Sequence, residues 1–219
     1  VGKSRTRYVG RHMPARSTTK TINLALQGGG AHGAFTWGVL DRLLEDDRID
    51  VEAITATSAG AMNAVVAGSG FAIGGREGAR RNLLTFWRLI SDAACSGPLQ
   101  PSVVDRLLGN HALTYSPAFV MLDVFSRLFS PYQFNPLNYN PLRTILEETV
   151  DFDRLRSPSC PVKLFLSATN VRTGKIKVFS NDELSADAAM ASACLPFLFH
   201  AVEIAGERDC DQLVQLRVA

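Results

Sequence analysis

The chain has 219 residues, 46% hydrophobic and 20% charged, enough to bury the core of one α/β domain. Its net charge of +2 divides unevenly: Lys3, Arg5, Arg7, Arg11, Arg16 and Lys20 meet no acid in residues 1–20, while the rest holds 17 basic residues against 21 acidic ones. That balance excludes a basic nucleic-acid-binding body, and predicts a disordered basic arm over 1–20 ahead of one domain over 21–219.

The arm lacks the apolar centre of an export signal, and no run of 18 apolar residues occurs, so neither a secretory leader nor a transmembrane helix is predicted. Cys95, Cys160, Cys194 and Cys210 are scattered without metal-ligand spacing, which predicts reduced thiols, no metal and a cytoplasmic location.

Residues 22–26 form a short apolar run suited to a buried parallel strand, followed by the glycine-rich loop from Gly28 to Gly33. Phe35, Val39, Leu40, Leu43 and Leu44 then recur at helical spacing, opposite Asp41, Arg42, Glu45 and Asp46. Residues 51–57 are rich in Val, Ile and Thr and predict a second strand; the turn at Ser58 leads into a small, apolar helix over 61–67. This order describes a βαβα unit. The glycines of 68–80 predict a loop, and 83–90 a further helix. Residues 96–141 hold six of the ten prolines and an apolar segment, 119–129, read as a buried helix ahead of a membrane-touching lid. Beyond them, 142–150 predict a helix, 162–169 a strand, 173–175 a hairpin turn into 176–179, and 186–192 a helix.

Two loops carry candidate chemistry. Ser58 stands between a strand end and a buried helix, flanked by Ala56, Thr57, Ala59 and Gly60, as a nucleophile elbow requires: small neighbours permit a tight turn that projects the hydroxyl. The same tripeptide also suits a plain helix N-cap. In Gly28, Gly29, Gly30, Ala31 and Gly33, unshielded backbone N–H groups can face a developing oxyanion. This loop also satisfies the G-x-G-x-x-G dinucleotide fingerprint, but the second strand ends on Thr57 and Ser58, where a dinucleotide site needs an acid. Of the histidines, His12 lies in the arm, His111 in the irregular stretch, His32 in the glycine loop and His200 after Pro196. A carboxylate acting directly on the serine remains an option.

Three blocks, in this order and spacing, resemble the bacterial patatin-like phospholipases over about residues 20–211: Gly28 to Phe35, Thr57 to Ala64, and Ala189 to Phe199 with its A-S-x-x-x-P pattern. The resemblance implies a three-layer α/β/α sandwich with a mostly parallel central sheet. It also implies a Ser–Asp dyad, and cofactor-free hydrolysis of acyl esters in phospholipids or similar lipids, with peripheral membrane contact. Residues 202–207 align with the strand and turn before the family's aspartate, which puts Asp211 at its position, though Gln212 and Leu213 replace the glycines that follow it. Asp209 is the neighbouring alternative. Because family domains continue past this motif and the sequence ends eight residues later, the expectation is a domain incomplete at its C-terminal side, with impaired catalysis as the second reading.

Overall fold

The computed structural model describes residues 19–96, 131–170, 173–194, 199–204 and 211–214, with Pro131, Phe134 and 211–214 as backbone alone. Strands β1 (Lys20–Leu26), β2 (Ile49–Ala56) and β3 (Lys163–Asn170) pair in parallel, in the order in which they occur in the chain. The predicted hairpin is present: Gly174 at φ +66° donates to the Asn170 carbonyl, and β4 (Ile176–Phe179) returns antiparallel along β3. Strands β5 (Val202–Ile204) and β6 (Asp211–Val214) pair antiparallel, and β6 also joins β3 at Thr169 and Asn170. Among the described residues, four of the six strands, β1, β2, β3 and β5, therefore run in one direction.

Alternating side chains decide which face of the sheet is covered. Ile54, Leu164, Leu166 and Ala168 are buried against the helices, whereas Ala25, Thr55 and Val178 are exposed on the other side and line a shallow depression. The covering layer contains α1 (Gly33–Leu44), α2 (Ala59–Ser96), α4 (Pro141–Thr149), α5 (Phe152–Arg156) and α6 (Ala186–Ser192); a single turn, α3 (Pro131–Phe134), precedes α4. Sheet and helices together make an α/β sandwich whose core centres on Phe86, Leu83, Leu146, Leu155, Leu164 and Leu166. Short helices begin on side-chain caps: Asn140 accepts from the Leu142 N–H ahead of Pro141, and Ser185 accepts from Ala188.

Two expectations are corrected. The loop predicted over 68–80 is helical except at a kink, where Gly74 and Gly75 leave helical geometry, Gly75 at φ +60°. The glycines there serve close approach: a Cβ on Gly70 would lie 2.5 Å from the Gly78 carbonyl oxygen, and one on Gly78 2.2 Å from the Gly70 oxygen. The two arms of α2 thus pack backbone to backbone, which side chains would prevent. On α1, the predicted apolar stripe buries Leu40 and Leu44 only; Phe35 is 78% exposed and Val39 44%. This helix rests on α2, and Arg80 closes their edge through Asp41 (2.9 Å) and Glu45 (2.9 Å). The 119–129 segment, and the basic arm up to residue 18, lie outside the described residues.

Cys95 is exposed and Cys160 half-buried, and neither they nor Cys194 form a disulfide among the described residues. Cys194 is buried, its Sγ donating to the His200 carbonyl (3.4 Å), and burial pushes its thiol up to about 11. Iodoacetamide at pH 8 should therefore alkylate exposed Cys95 and spare Cys194, as read by peptide mass spectrometry. The unfolded thiol ionises from its ordinary 9.0, so the folded state loses this contribution to stability as pH rises from 9.0 to about 11.

Candidate active site

The turn after β2 is built by three successive backbone commitments. Thr57 N–H donates to the Leu26 carbonyl (3.2 Å), prolonging the contact with β1; Gly60 N–H donates to Thr57 (2.9 Å); Met62 N–H donates to Ser58 (3.1 Å) and starts α2. Ser58 lies between them at φ +55°, 6% exposed. That left-handed conformation costs a non-glycine residue about 1–2 kcal/mol, and the surrounding structure must hold it. Part of the hold comes from α6, where Ser192 Oγ accepts the Ser58 N–H at 3.0 Å. Gly60 permits the rest: a Cβ there would stand 2.3 Å from the Leu26 carbonyl oxygen. Ala56 ends β2 in strand geometry, so the alanine that replaces the first glycine of G-x-S-x-G meets no backbone demand for glycine.

Opposite the turn, Gly30–His32 form one 3-10 turn, with Gly30 at φ +55° and His32 N–H donating to the Gly29 carbonyl (3.1 Å). Gly33 opens α1 and packs behind it, against Ala59 and Trp87. Asn63, fully buried, donates its Nδ2 to the Gly33 carbonyl (2.9 Å) and accepts the Trp87 indole N–H at Oδ1 (2.9 Å).

Between these loops lies a cavity of about 420 Å3, within the size range of small-ligand sites. Gly29, Gly30 and Ala31 line it beside Ser58 and Ala59; Met62, Phe86, Trp87, Ile90, Leu142, Ala193 and Phe199 supply apolar wall. Gly28 and Gly33 are not part of that lining, and Ala56, Thr57 and Gly60 stand behind the turn. The segment leading to Asn140, another lining residue, is uncharged from 128 to 142 and exposes Leu137 (90%) and Tyr139 (71%).

Neither His32 nor His200 lines the cavity; His32 Nδ1 sits 3.1 Å from the Gly29 carbonyl, and the His200 ring stacks on Tyr132 at 4.0 Å. Asp211 begins β6 opposite Ile204, at the end of the sheet where β2 delivers Ser58, while Asp209, His12 and His111 lie outside the described residues. Among the described residues no cluster of three metal-binding side chains occurs, and no helix is long and apolar enough to cross a membrane. In the sequence, Asn63 and Ser192 lie within the second and third family-like blocks without an assigned role, and Trp87 lies outside all three. Asn63 had left a signal, as the single polar side chain within the run 59–67.

A search of curated protein sequences gave no match. Among solved structures, VipD from Legionella pneumophila is similar with 16% identity and a TM-score of 0.48, over 88% of this chain and 45% of that one. A chain of the heterodimeric ExoU–SpcU complex from the type III secretion system of Pseudomonas aeruginosa is similar with 18% identity and a TM-score of 0.36, over 79% of this chain and 36% of that one. The present chain thus spans less than half the length of either. The sequence model of one family, described as Patatin-like phospholipase, matches residues 24–214. The match covers most of the sequence and takes in both loops of the cavity, and the chain belongs to the patatin-like phospholipase family.

Proposed function

We propose that the chain is a serine-dependent lipid acyl hydrolase working through a Ser58–Asp211 dyad. The observation that carries this reading is the strained, left-handed Ser58 sharing one apolar cavity with the backbone of Gly29, Gly30 and Ala31. Strain of this kind is kept where a side chain must be presented in one direction.

In the first step, Ser58 Oγ bonds to the ester carbonyl carbon and its proton passes to the Asp211 carboxylate. The carbonyl oxygen becomes an oxyanion, held by N–H groups of Gly29, Gly30 and Ala31, each worth about 3 kcal/mol. The ester C–O bond then breaks, and the departing alkoxide takes the proton from Asp211. Water, deprotonated by the same carboxylate, adds to the acyl carbon; the bond from that carbon to Ser58 Oγ then breaks, Asp211 returns the proton to Oγ, and the fatty acid leaves. No metal or cofactor enters the sequence of steps. The Ser58 amide has no part in holding the oxyanion, because it is committed to Ser192. The apolar wall suits an acyl chain, and exposed Leu137 and Tyr139 suit peripheral contact with the lipid surface that supplies it.

A fluorophosphonate probe tests the reading: the expected result is one adduct, on Ser58, located by peptide mass spectrometry. An intact chain that takes up no probe overturns it. The choice of base is settled by Asp211→Asn and Asp209→Asn. Asp211→Asn is expected to slow p-nitrophenyl ester turnover by about 10^4-fold while Asp209→Asn stays near wild type. The reverse pattern moves the base to Asp209.

A further inference from the structure

We infer that Asn63 is a positioning residue which sets the spacing between the oxyanion loop and Ser58 and ties that spacing to Trp87 in the acyl-pocket wall. The inference rests on the function proposed above.

Asn63 lies five residues beyond Ser58, inside α2, with no exposed surface. Its carboxamide orientation is dictated by its partners: the Gly33 carbonyl requires a donor and the Trp87 indole N–H an acceptor, so Nδ2 and Oδ1 have one consistent assignment. The Gly33 carbonyl marks the junction between the 3-10 turn of the oxyanion loop and α1. At that junction a Cβ on residue 33 would stand 2.9 Å from the Ala59 Cβ and 3.0 Å from the Trp87 ring. The loop, the first residue of the elbow helix and the pocket-wall indole therefore meet with no room between them. One buried amide bridges two of the three and belongs to the helix of the third. Trp87 is also stacked on Trp37 of α1 (6.4 Å between centroids, 12° between planes) and meets Phe86 edge-on (5.6 Å). An acyl chain that presses on Trp87 thus acts, through Asn63, on the carbonyl that fixes the oxyanion loop. Side chains this closely packed, with Asn63 and Phe86 buried and Trp37 and Trp87 half-buried, move together rather than deform singly. The consequence is that turnover depends on acyl-chain length through Asn63.

The test uses Asn63→Leu, which removes both hydrogen bonds at similar size and leaves the Trp87 ring in the wall, and Trp87→Phe, which removes the indole N–H together with part of that wall. Each is assayed per folded molecule, with p-nitrophenyl acetate and octanoate and with the fluorophosphonate probe. For Asn63→Leu the expected result is probe labelling and kcat reduced about 10- to 100-fold, with KM for acetate within about threefold of wild type, as for a misplaced catalytic group. The octanoate-to-acetate kcat ratio should fall by at least about threefold in Asn63→Leu, where the wall itself is unaltered, and this fall carries the coupling; Trp87→Phe should lower the ratio as well. A variant that merely loses stability, with labelling rate and chain-length ratio per folded molecule equal to wild type, overturns the inference. If Asn63→Leu does not fold, an unchanged ratio in Trp87→Phe overturns the coupling by itself. Absence of probe labelling in the wild-type chain would instead strike the proposed function; wild-type labelling with unaltered variants strikes this inference alone.

Discussion

Ser58→Ala is expected to give a folded protein whose p-nitrophenyl ester hydrolysis is lower by about 10^4-fold or more, the scale on which serine hydrolases lose activity with their nucleophile. Alanine leaves the φ +55° strain in place, so thermal stability should change little. Ser58→Gly separates the two properties. It is equally inactive, but glycine adopts positive φ without cost, so its stability should rise by about 1 kcal/mol, or roughly 2–4 °C in Tm for a chain of this size. The paired measurement is calorimetry beside the ester assay. Full hydrolysis in Ser58→Ala removes the nucleophile assignment, and a lower Tm in Ser58→Gly removes the claim of strain.

Gly60→Ala should be among the most damaging single-methyl changes in the molecule. The added Cβ would sit 2.3 Å from the Leu26 carbonyl oxygen and 2.9 Å from that of Gln27, both backbone atoms that cannot swing aside. Either α2 withdraws from the end of β1 or the turn before it opens. The expected cost is about 3 kcal/mol, a fall of roughly 6–12 °C in Tm, with probe labelling lost as well. Gly38→Ala is the matched control: residue 38 lies within α1, and a Cβ there meets nothing within 4 Å. It should gain about 0.5–1 kcal/mol, since alanine suits a helix interior better than glycine does. Equal effects at residues 38 and 60 would discount the close approach.

Much of this architecture was legible in the residues. Apolar runs gave β1, β2 and β3, the turn glycine gave the β3–β4 hairpin, and the Ser-Ala-Gly step gave the entry to α2. What composition could not convey was the purpose of the glycines in 68–80. A glycine needed for flexibility and one needed for contact look identical in a sequence, and Gly70 and Gly78 are of the second kind. Periodicity gave the helix α1, but tertiary packing decides how much of its apolar stripe is covered, and Phe35 stays outside. Ser58 and the Gly29–Ala31 loop were visible as local patterns, and Ser192 lay within the A-S-x-x-x-P block without its contact to Ser58 being readable, whereas Trp87 comes from a stretch of chain that carries no local mark of the site.

The hydrogen bond from Ser58 to Ser192 spans 134 positions in the sequence. Synthesis at about 5–20 residues per second means the acceptor emerges roughly seven seconds or more after the donor. Until it arrives, the Ser58 amide has no α6 to hold it, although the helical arm that follows can form. A nascent or proteolysed N-terminal piece, however well it builds β1, α1 and β2, therefore lacks the latch on Ser58. The fixed geometry of Ser58 is thus completed late, only once Ser192 has been added.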